Sequence, residues 1–63
     1  MSDEEVWEEM QRRAAARQQL GWPHIHEKDL LEGLNAQQVY RNIRMVDRRG
    51  DIRYVSAHIW SFT

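Results

Sequence analysis

Gln37, Gln38, Arg41, Arg44 and Arg48 are the residues of this 63-residue chain whose types and spacing point most directly to a chemistry. At about 100° per residue, Gln37, Arg41, Arg44 and Arg48 fall within roughly 60° of one another on a helical wheel. A helix carrying that row presents donors suited to DNA. Gln pairs with adenine and Arg with guanine through two hydrogen bonds each, and further Arg binds backbone phosphate. The bland alternative is a solvated face that only keeps a small domain soluble. A second set is acidic: Asp3, Glu4, Glu5, Glu8 and Glu9. These suit the positive end of a helix dipole, and they can equally engage a basic partner or imitate nucleic-acid charge.

Other chemistries find less support. His24 and His26 share one side of a strand, and His58 can lie on a neighbouring one, but no Cys or fourth ligand completes a zinc site. No metal or other cofactor is therefore expected. Ser56, Ser61 and the three His show no triad pattern, and there is neither a Cys nucleophile nor a Gly-rich phosphate loop. The chain is not expected to be an enzyme. The tripeptide Arg49-Gly50-Asp51 matches a cell-adhesion motif and reads more simply as a turn.

A chain this short forms one domain with a marginal core, since it buries only about 60% of the surface its unfolded form exposes. No Cys is present to staple it. Three tryptophans, Trp7, Trp22 and Trp60, are many for this length, and exposed Trp commonly anchors interfaces. A homodimer, or docking to a larger protein, is the expectation. No apolar run spans a membrane, and the acidic start is unlike a signal peptide, so an intracellular, cytoplasmic setting is expected. The net charge of −1 hides a split: residues 1–34 sum to −4 and residues 35–63 to +3. Such asymmetry orients a protein on a polyanion without making it globally basic.

The elements that must position these residues can be placed from caps and periodicity. Ser2 and Glu5 have capping-box spacing, and Gly21-Trp22-Pro23 ends what they start, so a first helix is predicted over 2–20. Its stripe is Val6, Trp7, Met10 and Ala14. A short strand follows over 22–26 and a short helix over 27–34. Asn35 caps a helix over 36–49, with Gln38 at the capping-box position. On it Ala36, Val39, Tyr40, Ile43 and Val46 form an apolar arc of roughly 120°, and the Gln37 and Arg row falls outside that arc. Residues 51–62 are β-branched and aromatic: one strand, two with a reversal near Ser56-Ala57, or a strand and a terminal helix capped by Ser56. The expected core is Val6, Trp7, Met10, Leu30, Leu34, Val39, Tyr40, Ile43 and Val46.

This order, and the residues "LLEGLNAQQVYRNI", resemble the helix-turn-helix of winged-helix and repressor-type DNA-binding domains. Gly33 stands at the turn, Leu34 points to the core, Asn35 opens the recognition helix, Val39 is its first buried residue, and "DRRGDIRYV" stands where a wing begins. The resemblance covers about half the chain. It implies an α+β, winged-helix-like domain of three helices and a short sheet, a regulator of transcription, replication or recombination. Helix 36–49 would then lie in the major groove of double-stranded DNA with Gln37, Gln38, Arg41, Arg44 and Arg48 as contacts. The competing expectation is a small adaptor or inhibitor that uses its acidic helix and its tryptophans.

Overall fold

The computed structural model describes residues 1–48 and 50–63, with the side chain of Val46 outside the description. The expectation of Val46 in the core, and Arg49 itself, lie outside the described residues. The described chain is a small α+β domain: α1 (Asp3–Gln19), β1 (His24–His26), α2 (Glu27–Leu31), α3 (Ala36–Arg44), a 3-10 turn (Val46–Arg48), β2 (Ile52–Ser56) and β3 (Ile59–Phe62). The sheet is antiparallel with order β1-β3-β2.

Local chemistry sets the helix boundaries. Ser2 and Glu5 close a reciprocal capping box at the start of α1, satisfying two of the orphan N–H groups there. Gly21, at φ +83°, takes the left-handed position that ends α1, and the Trp22 N–H returns to the Arg17 carbonyl. The α2 helix is shorter than the expected 27–34. Glu32 leaves it in an extended conformation, and Gly33 at φ +75° makes the turn towards α3. Asn35 caps α3 by accepting from the Gln37 and Gln38 N–H groups. Gln38 does not complete the capping box. Its side chain instead donates to the Met1 carbonyl at 2.7 Å and to Asp3 at 3.1 Å.

The α3 helix stops at Arg44, five residues before the expected end, because Met45 is extended and the chain then tightens into the 3-10 turn. The terminal segment is the hairpin among its three alternatives, with His58 at φ +61° in the reversal. Its second half, β3, is the central strand and not an edge; β2 and β1 are the edges.

The core is Val6, Trp7, Met10, Ala14, Ile25, Leu30, Val39, Ile52 and Phe62, with Leu31, Leu34, Ile43 and Trp60 half-buried against it. Trp7 meets Phe62 at 5.7 Å between ring centroids. Tyr40 is half-buried and Ala36 exposed, so the apolar arc of α3 is narrower than expected. Strand pairing places Ile25, Ile52 and Phe62 on the face towards the helices, and His24, Arg53 and Ser61 on the opposite face. Arginines of α1 tie the layers together. Arg13 donates to the carbonyls of Asp29, Leu30 and Glu32, covering the free end of α2, while Arg17 pairs with Asp29 at 3.0 Å.

Candidate functional site

The five residues expected to contact DNA separate into two groups. Gln37, Arg41 and Arg44 are exposed at helical spacing along one side of α3, backed by the buried Val39 and Asn42. Among the described residues Arg44 makes no ion pair. Gln38 and Arg48 point elsewhere. Gln38 is half-buried and reaches across to the start of α1.

Arg48 is an internal strut. Its side chain is only 11% exposed, and the guanidinium bonds Glu4 and the Asn42 side-chain oxygen. It also lies over the Trp7 ring, 4.9 Å from the centroid. Asn42 is fully buried, and its amide donates to the Asp3 and Gln38 carbonyls at 3.0 Å each. Every polar group of that amide is thus satisfied, which burial demands. The expectation that Arg48 continues the exposed row fails because the helix ends at Arg44, and the 3-10 turn carries the Arg48 guanidinium onto the Trp7 ring. Asn42 was missed entirely. Its position within about 60° of Val39 on the wheel was the available signal.

The first turn of α1 stands directly beside α3. The Asp3 carboxylate accepts hydrogen bonds from Arg41 Nη2 and the Gln38 amide, each at 3.1 Å, and its other oxygen pairs with Arg41 Nε at 3.0 Å. Hydrogen bonds from Gln38 and then Arg41 hold the Asp3 carboxyl below its ordinary value. Arg41 nevertheless remains 57% exposed. The rest of the acidic row is largely committed. Glu4 holds Arg48, Glu5 closes the capping box, and Glu9 pairs with Arg12 and Arg13. Only Glu8 of the five makes no described pairing, and Glu4, Glu5 and Glu8 remain exposed.

A second cluster joins α2, α3 and the hairpin turn. The Glu27 carboxylate, 12% exposed, takes hydrogen bonds from Tyr40 and from His58, whose Nδ1 lies at 2.6 Å. These bonds push the Glu27 carboxyl down, and the same carboxylate pushes the Tyr40 hydroxyl up. This carboxylate links α2 to α3 and to the hairpin turn. His24 and His26 are both exposed on β1, His26 beside the same cavity as Glu27 and His58, and among the described residues no group of three His, Cys, Asp or Glu is placed to hold a metal.

The tryptophans take three roles. Trp7 is core, and Trp60 is half-buried under an edge-on contact with Tyr54. Trp22 is 58% exposed, with Arg17 over its ring at 5.6 Å. No described helix is long and apolar enough to cross a membrane. Comparison of the chain with models of protein families, with curated proteins and with solved structures finds no match in any of the three.

Proposed function

We propose that this chain is a winged-helix-like domain that binds double-stranded DNA by laying α3 in the major groove, as a small regulator of transcription, replication or recombination. The observation that carries the reading is the exposed row Gln37, Arg41, Arg44 at i, i+4 and i+7 on a capped helix whose opposite face is core. Support comes from the element order, in which the helix–turn–helix of α2 and α3 is followed by a hairpin that pairs with β1. Polar side chains near the N-terminal half of such a helix reach base edges, while Arg further along meets phosphate. Gln37 is suited to adenine, Arg41 and Arg44 to guanine or phosphate. Arg48, with its guanidinium under Trp7, drops out of the contact set.

The test is titration onto random duplex DNA at two salt concentrations. On random duplex Arg44, which makes no ion pair among the described residues, gives a slope of log affinity against log salt of about −0.9, and Arg41 adds a second contact only once it is released from Asp3. Replacing Arg44 by Ala reduces that slope by about one unit. Failure to bind duplex at low salt overturns the reading, because nonspecific electrostatic attachment needs no correct site. A protein-interaction module is the second reading, favoured by the neighbouring exposed side chains Leu20 and Trp22 at the end of α1. Failure on DNA would bring it forward.

A further inference from the structure

We infer that Arg41 and Gln38 form a phosphate-binding fork that Asp3 of the same chain already occupies, so that Asp3 restrains binding at α3. The inference rests on the reading of α3 as a phosphate-contacting helix, and it concerns how that contact is regulated. Asp3 meets the fork as a phosphate would. Both carboxylate oxygens face the Arg41 guanidinium, one taking a hydrogen bond from Nη2 and the other lying 3.0 Å from Nε, and a further donor comes from the Gln38 amide. Guanidinium engages carboxylate and phosphate through the same planar pair of donors, so the two ligands exclude each other at Arg41.

Asp3 is held in place and is not a loose tail. The Ser2–Glu5 capping box sets the start of α1, and the Asp3 carbonyl accepts from the buried Asn42 amide at 3.0 Å. Gln38 is further fixed by its bond to the Met1 carbonyl. An incoming phosphate therefore meets a carboxylate that cannot swing far away. It has to displace Asp3 from Arg41 and tolerate a like charge alongside. The pair is open enough for that exchange to happen, with Asp3 32% and Arg41 57% exposed. The consequence is selectivity. Random polyanions are held weakly, and only a site offering further contacts to Gln37 and Arg44 repays the displacement.

Two ligands separate the sources of phosphate: inorganic pyrophosphate and duplex DNA. Each is titrated into the wild type and into Asp3→Asn, which removes the charge and leaves the capping box untouched. The side-chain N–H signals of Arg41 and Gln38 are followed by nuclear magnetic resonance. The Asn variant should reach half-saturation with pyrophosphate at a concentration lower by about tenfold, the equivalent of one charged hydrogen bond. On duplex DNA its salt slope should be steeper by about 0.9, as one more phosphate contact forms. Equal half-saturation and equal slopes in the two proteins would overturn the inference. If neither protein binds duplex, the DNA reading fails, while the pyrophosphate comparison still decides whether Asp3 blocks the fork. Asp3→Ser, also compatible with a helix start, repeats the comparison should Asp3→Asn lose its fold by circular dichroism.

Discussion

Replacing Arg48 by Ala should nearly exhaust the stability of this domain. Three interactions go at once. The Asn42 side-chain oxygen is left without its donor in a fully buried position, which costs about 1–3 kcal/mol. The guanidinium over Trp7, itself core, is lost at about 0.5–2 kcal/mol. The Glu4 pair contributes less than about 1 kcal/mol, because Glu4 is 68% exposed. Since these share one side chain they do not simply add, and about 2–4 kcal/mol is expected in total. A core of this size rarely supplies more than about 3–5 kcal/mol. Urea unfolding followed by Trp fluorescence and by far-ultraviolet dichroism measures the loss, with Arg44→Ala as the exposed control. In a thermal scan the midpoint should fall by at least about 10 °C. Arg48→Met, which keeps a stem against Trp7 and loses the donors, should fall between the wild type and Ala. A loss for Arg48→Ala below about 0.5 kcal/mol, matching the Arg44 control, would refute the strut.

Three other outcomes are expected. Val39→Asp should abolish the fold, because it buries an unpaired carboxylate at a position with no exposure; a native near-ultraviolet spectrum would contradict the α3 register. Asn35→Ala should cost about 1 kcal/mol in urea unfolding by removing the acceptor for two N–H groups, and no change would deny the cap. The carboxyls of Asp3, Glu5, Glu9 and Glu27 are all held below their ordinary values, Glu5 by Ser2 and Glu9 chiefly by Arg13. The unfolded chain therefore takes up these protons first, and stability present above about pH 5 is lost as pH falls through 4 and below. Tyr40 has the opposite sign. Glu27 raises it, so the unfolded chain ionises first above about pH 10, and stability is lost on the alkaline side. Urea midpoints that do not fall at both extremes, or an alkaline loss unaltered in Tyr40→Phe, would contradict these assignments.

What was legible in the sequence follows the range of the interaction that decides it. Ser2, Gly21, Gly33 and Asn35 act within a few residues of themselves, and each sits where its local chemistry placed it. The stripe Val6, Trp7, Met10, Ala14 is buried as its period implied. The end of α3 was illegible because nothing local stops the helix at Arg44. The stop belongs with the tertiary placement of Arg48 between Glu4, Asn42 and Trp7, residues up to 44 positions away. Gln38 deserted the capping box for the same kind of reason, since its amide nitrogen is engaged by Met1 and Asp3, 37 and 35 positions away. The burial of Ile25, Ile52 and Phe62 required knowing which hairpin faces α1, and a strand's pattern alone does not say which of its two faces that is. In the candidate site, the exposure of Gln37, Arg41 and Arg44 could be read from the wheel. The grip of Asp3 on Arg41 could not, because it joins residues 38 positions apart.

The sheet order β1-β3-β2 carries a consequence for how the chain reaches this state. Residues 59–62 lie between both other strands, so neither ladder exists until they arrive. Emerging from a ribosome, the chain would hold β1 and β2 as two separate open strands, each with unmet backbone donors and acceptors. The α1–α3 pairing needs no part of β3, and its Asp3, Asn42 and Gln38 bonds can form first. Insertion of the Ile59-Trp60-Ser61-Phe62 segment is then a single closing event. It satisfies two edges at once and seats Phe62 on Trp7. A stall or a proteolytic cut just before residue 59 would release both strands together, giving a species prone to pair with its own kind.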